Sequence, residues 1–191
     1  MTYDKITRWL HAGMALGITW QLLSSLAMEI PKPGVVHSAL EAAAFKTHEL
    51  MGISVLMLML VHWLWQLAGH LPKGLGHLFP WFSAQGRKAV LGAVRQLARF
   101  KPDSLQQSDS LAGGVHGLGL LAATAMAASG GVLYFGMGEN GTMSPAVHAI
   151  AEFHSFIATF MWIFLIGHTV MAIVHQWLGH HTLSDMFDFK R

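Results

Sequence analysis

Val147–Leu178 reads VHAIAEFHSFIATFMWIFLIGHTVMAIVHQWL, and this stretch decides the fold. It is almost free of Asp, Glu, Lys and Arg, and it exceeds the roughly 20 apolar helical residues that span a hydrocarbon core. Within it stand His154 and His168, 14 residues apart. At about 1.5 Å per residue they are separated by roughly 21 Å along the helix axis. At about 100° per residue their azimuths differ by only about 40°, so both face the same way. A long apolar helix with two histidines on one face, at two depths, is the starting point.

Three further apolar stretches run from about Ile6 to Met28, Thr47 to Leu67 and Val115 to Phe135, so the sequence predicts four spans, the last being 147–178. The class expected is all-α: an integral-membrane four-helix bundle forming a single domain over residues 1–191. The composition agrees, with 53% hydrophobic and only 12% charged residues, where a soluble domain carries about 25% charged. Lys5 and Arg8 ahead of an apolar run resemble a signal peptide. That run is long, holds His11 and lacks a small-x-small site after it, so it is read as a retained span.

Glu29 to Lys46, with Pro31, Pro33 and Gly34, reads as a breaker-rich loop. Gly136 to Pro145 is a second, Gly-rich connection. Between the second and third spans lies a long polar segment containing GRKAVLGAVRQLARF (86–100). Val90, Leu91, Val94, Leu97 and Ala98 recur there at helical spacing, with Arg87, Lys88, Arg95 and Arg99 elsewhere on the wheel. This predicts a basic amphipathic helix lying on an anionic membrane surface; a solvated helix packed on a partner is the alternative. Lys5, Arg8, Lys73, Arg87, Lys88, Arg95, Arg99, Lys101, Lys190 and Arg191 fall on one side of the expected membrane, and only Lys32 and Lys46 on the other. By the positive-inside rule both termini and the long connection are cytoplasmic. The net charge of +2 gives no reason to invoke a nucleic-acid partner.

The chain has 13 histidines and no cysteine. The absence of cysteine excludes disulfides, thiolate-held iron–sulfur clusters and covalently attached c-type haem. Ionisable residues inside membrane helices are expensive and default to a functional reading. His48 stands at the outer end of the second span, level with His154. His11 lies about one and a half turns into the first, at the depth of His168. One histidine pair per leaflet, each bridging two helices, suits two b-type haems held through axial imidazoles. Gly13, Gly17, Gly52 and Gly167, near these ligands, would let a macrocycle approach.

Other readings stay open. His62 follows His48 by 14 residues and competes with His11 as the inner ligand. His116 and His175, at the inner boundary, are secondary candidates for contact with a haem propionate or a quinone, or simply interfacial residues. His37, His70, His77, His148, His180 and His181 fall in loops or at helix ends and read as solvated. Zinc would want about four ligands in one place, and a histidine proton relay would ordinarily include carboxylates. A haem-free structural or transport protein is the reading of a different class.

TRWLH (7–11), THELMGI (47–53), EFHSF (152–156), IGHTVMAIVHQW (166–177) and the closing HTLSDMF (181–187) together resemble the bacterial cytochrome b561 family, which overlaps the b-type cytochrome subunits of nickel–iron hydrogenases. The resemblance covers all four stretches. It implies two haems b per chain, with His11 and His168 holding the inner iron and His48 and His154 the outer one. It also implies a multi-pass protein of the bacterial inner membrane, serving respiratory electron transport between a donor and the quinone pool, with ubiquinone or menaquinone as substrate. Two related roles follow from the same resemblance: an oxidoreductase that takes electrons from superoxide, and a membrane anchor for a periplasmic hydrogenase or dehydrogenase subunit. The expected surroundings are the lipid bilayer, quinone and a periplasmic redox protein; a homodimer is compatible with all of them. The chain departs from many members in having His62 where they have an arginine, and in its longer cytoplasmic connection.

Overall fold

The computed structural model of the chain describes residues 4–32, 34–70, 74–98, 109–138, 141–179 and 182–187. Among these residues the regular structure is helical throughout. Lys73, Arg99, Lys101, Lys190 and Arg191 of the topology count, Pro33, His180, His181 and Phe100 lie outside the described residues, as do the side chains of residues 97 and 98.

The helices are α1 (Lys5–Ser25), α2 (Ala39–Trp65), α3 (Leu75–Leu78), α4 (Ala84–Ala98), α5 (Asp109–Gly136), α6 (Pro145–Trp177) and α7 (Thr182–Phe187), with a 3₁₀ turn at Pro80–Phe82. They form two compact units, Met1–Trp65 with Ala122–Arg191, and Gln66–Leu121. The division falls where α2 widens into a π turn, Gln66–His70, in which Gly69 adopts φ 93°. Only glycine enters that left-handed region without a Cβ penalty, so Gly69 ends the helix.

Among the described residues, three segments are long and apolar enough to cross a membrane: Ala39–His70, Ser110–Gly136 and Pro145–Trp177. They correspond to three of the four expected spans. The fourth expected span, α1, has 21 residues, about 31 Å at 1.5 Å each, but Lys5, Arg8, His11 and Gln21 lower its average apolarity.

Most helix limits differ from the sequence reading by a few residues, with one larger correction. Residues 39–46, expected in a loop, are the first two turns of α2. The cause is a capping box: the Ser38 hydroxyl accepts from the Glu41 amide at 3.3 Å, and the Glu41 carboxylate accepts from the Ser38 amide at 2.8 Å. The alanine-rich ALEAAAF that follows is strongly helix-forming.

In the first unit, α1 and α2 pack closely along their length, whereas α6 approaches α1 at only a few points. Leu10, Met14, Leu22, Val55 and Met59 form the buried seam. Gly13 and Gly17 belong to it: a Cβ on Gly17 would stand 2.6 Å from Val55 Cγ2, and one on Gly13 3.3 Å from Leu58. Gly52 likewise faces Gln21. These glycines, expected to admit a macrocycle, instead let α1 and α2 approach; Gly167 faces open space. The start of α1 is tied to the end of α2 by a chain of hydrogen bonds. Asp4 accepts from the Thr7 amide at 2.9 Å and from its hydroxyl at 2.6 Å, and Trp65 Nε1 donates to Thr7 Oγ1 at 3.2 Å. Partial burial raises the Asp4 carboxyl, but the bonds from Thr7 and Trp65 outweigh it and hold the pKa below the ordinary carboxylate value.

In the second unit, the amphipathic segment is helical as expected, forming α4. Its N-terminal end packs on the 3₁₀ turn, where Gly86 lies against the Pro80 carbonyl and Arg87 donates to the Trp81 carbonyl at 2.9 Å. Gly113 and Gly117 of α5 lie directly over the His77 and Leu78 carbonyls. Leu91 and Val94 on the apolar side of α4 remain exposed.

Two outcomes are expected. Gly17→Ala forces a β-branched neighbour to move and should cost about 1–3 kcal/mol; adding Val55→Ala should recover most of it, as read by thermal unfolding in detergent. Asp4→Ala should cost about 1 kcal/mol near neutral pH. A carboxyl with a depressed folded pKa stabilises above its unfolded pKa, and that contribution fades as pH falls through the folded one. The gap between wild type and variant should therefore narrow in acid; a gap constant with pH would show that the charge of Asp4 contributes nothing.

Candidate functional site

The histidines expected to work together are brought together in the first unit. His154 and His168 stand on α6, His11 on α1 and His48 on α2, all four half-buried. The His11 and His168 rings have centroids 6.3 Å apart with planes at 54°. The His48 and His154 rings are 6.5 Å apart at 79°. Each pair joins α6 to a different partner helix, and the two pairs are about 21 Å apart along α6.

These separations can be tested against coordination chemistry. A metal–imidazole bond is about 2 Å, and a five-membered ring with sides of about 1.35 Å has its nitrogens about 1.15 Å from the centre. Two imidazoles on opposite sides of one metal therefore hold their centroids about 6.3 Å apart. A direct N–H···N bond would bring the centroids to about 5 Å, whereas edge-on ring packing shares the observed spacing. Among the described residues, no three His, Asp or Glu side chains converge in a way that could hold a metal. Each pair is thus a two-donor site, suited to an ion whose remaining positions are filled by a macrocycle.

Hydrogen bonds fix which nitrogen can serve as ligand in one of the pairs. Ser24 Oγ lies 3.0 Å from His48 Nδ1 and also donates to the Gln21 carbonyl at 3.1 Å. Ser129 Oγ lies 2.8 Å from His154 Nδ1, with the Ala125 and Met126 carbonyls at 2.7 and 3.1 Å. A hydroxyl has a single proton. With that proton on a carbonyl, each serine offers His Nδ1 a lone pair, so Nδ1 carries the hydrogen and Nε2 is left as the donor atom. Gly130 follows Ser129 on α5, and a Cβ there would stand 3.3 Å from His154 Cε1, so glycine allows the ring to lie against the helix.

The other pair has aromatic neighbours. Phe187 of α7 meets His11 edge-on at 5.8 Å, and Phe164 stacks on His168 at 5.3 Å. Gln176 steadies α7 by accepting from the Leu183 and Ser184 amides at 3.1 and 3.5 Å.

The secondary candidates separate by location. His62 is buried in α2 and belongs to neither close pair. His175 is half-buried on α6, two turns beyond His168. His116 lies in the second unit, exposed, with Nδ1 2.7 Å from the Ala112 carbonyl. Of the histidines read as solvated, His148 is 3.6 Å from Glu152 at the surface. His37 lines a cavity of about 430 Å³ together with Phe45, Lys46 and Glu49, the residues flanking His48.

Sequence reasoning missed Ser24, Ser129, Phe164 and Phe187. The serines approach rings 24 and 25 residues away, on other helices, and no spacing rule along one helix reveals such a contact.

A family model described as prokaryotic cytochrome b561 matches residues 2–189. Comparison with curated proteins and with solved structures finds no match.

Proposed function

The chain belongs to the prokaryotic cytochrome b561 family, membrane b-type cytochromes of electron transfer, and on that footing we propose that it carries electrons through two haems b to or from the membrane quinone pool. The supporting observation is the pair of cross-helix imidazole contacts at 6.3 and 6.5 Å, a spacing into which one shared metal fits. His11 and His168 hold one iron, His48 and His154 the other. When bound, each haem supplies a one-electron ferric/ferrous couple. An iron held by two histidine nitrogens would offer no open position to oxygen, which favours transfer over activation.

Four spans, counting α1, serve this role. Polar α1 residues are turned inward, with Arg8 2% and Ser24 8% exposed. Trp9, Leu16, Trp20 and Leu23 recur at helical spacing on its exposed side. A helix that is apolar outside and polar inside suits lipid, and this compensates for its modest average hydropathy. The excess of Lys and Arg in the long connection and at both ends supports a cytoplasmic location for those segments at a bacterial inner membrane. The His48–His154 pair then lies in the outer leaflet and the His11–His168 pair in the inner one. On the cytoplasmic side, the exposed Leu91 and Val94 of α4 would rest on the membrane surface amid its basic residues. The 430 Å³ cavity lined by His37, Phe45, Lys46 and Glu49 would be the place for a donor or a quinone head group near the outer end of α2.

Superoxide oxidation and service as the anchor of a periplasmic hydrogenase or dehydrogenase share this electron path and differ in the donor. For superoxide, steering would need outer-face cations. Lys46 pairs with Glu49 at 3.2 Å, which weakens its pull on an anion.

A dithionite-minus-air spectrum with haem quantification should give two b-type haems per chain. Alanine at His11, His48, His154 or His168 should each remove about one haem, and His62→Ala should remove none. Retention of both haems in the His154 and His168 variants would overturn the assignment; loss of one in His62→Ala would move the inner ligand from α1 to α2.

A further inference from the structure

We propose that Ser24 and Ser129 are positioning residues that hold both axial imidazoles of the His48–His154 haem in the Nδ1–H form and lower that haem's potential; this rests on the haem ligation proposed above. A serine inside a membrane helix ordinarily satisfies its hydroxyl on a carbonyl one turn back, and each of these does so. Each then also reaches a ring on another helix: Ser24 of α1 meets His48 of α2, and Ser129 of α5 meets His154 of α6. Both rings belong to the same pair. Both serines are buried, at 8% and 5% exposure, so water does not compete for the contact.

The chemistry is directional. Because each hydroxyl proton is spent on a carbonyl, the oxygen accepts from Nδ1–H. That withdraws the proton slightly from the ring and makes Nε2 a stronger donor. A stronger donor stabilises ferric iron more than ferrous and lowers the potential. Two such bonds, on the two axial ligands of one iron, act in the same sense. At the His11–His168 pair the ring neighbours that pack against the imidazoles are Phe187 and Phe164, which supply packing and orientation without a hydroxyl acceptor. The serines also set ring orientation, since a fixed Nδ1–H direction restricts rotation of each imidazole about its iron–nitrogen axis.

The test uses the full-length, haem-replete protein with Ser24→Ala, Ser129→Ala, the double alanine variant, Ser24→Thr and Ser129→Thr. Redox titration followed at the α band, with low-spin ferric electron paramagnetic resonance, reads each haem separately. The expected result is two haems retained and one midpoint potential raised by each alanine. At fixed poise the reduced-to-oxidised ratio of that haem should rise between about threefold and tenfold, tenfold being about 59 mV for a one-electron couple. The second potential should stay put, the double variant should move further, and threonine should restore wild-type values. The ferric signal of the shifted haem should also change, because it reports the angle between the two imidazole planes. Should an alanine variant lose haem, loss of one haem with recovery by threonine supports the role, and loss of both overturns it. Two haems with unchanged potentials, or equal shifts in both, would overturn the serine assignment while leaving the ligand assignment intact. A wild-type chain without low-spin haem would overturn the ligand reading itself, and this inference with it.

Discussion

Under the proposed ligation, two imidazoles facing each other across a gap that one metal ion would span impose the tightest geometric demand on this molecule. Held within a membrane, histidine is costly to place without a partner or a function. The helices accommodate the pairs unequally. α1 and α2 close on each other through Gly13, Gly17 and Val55 and so form a rigid wall carrying His11 and His48. α6 stands off from α1 over most of its length and carries both opposite rings. Under the proposed ligation, one helix would serve as the common rail for two metal positions, and its 14-residue interval would set their spacing.

Several polar groups in this unit sit inside. Arg8, Ser24, His62 and Ser129 are buried, while the outward faces of α1, α2, α5 and α6 carry Leu, Ile, Val, Phe and Trp. This inversion of the soluble-protein pattern explains how α1 can hold a buried arginine and still suit a bilayer. It also explains how a 5% exposed serine can act on a histidine ring: in a medium without water, a hydroxyl fixed on a carbonyl is a persistent dipole.

Much of the plan was legible in the sequence because it depended on intervals along single helices. The 14 residues between His154 and His168, and the depths of His11 and His48, were enough to anticipate which rings would meet. The family was legible from short motifs around the same residues. The start of α2 was misread because Pro31, Pro33 and Gly34 drew attention to a loop, while Ser38 and Glu41, three residues apart, signalled a helix. The glycines were misassigned because proximity along the chain to a ligand does not say which neighbour a helix face meets; Gly17 meets Val55 instead of a ring. Ser24 and Ser129 left no trace in any interval, since their partners come from other helices. Average hydropathy does not distinguish an inward arginine from an outward one, and this bears on the proposed span α1.

The most direct check on the central claim is the near-infrared magnetic circular dichroism of the oxidised protein, which reports the axial ligand pair of each ferric haem. Two low-spin bis-imidazole haems per chain are predicted. A high-spin component or a non-histidine ligand pair in the intact protein would contradict the account.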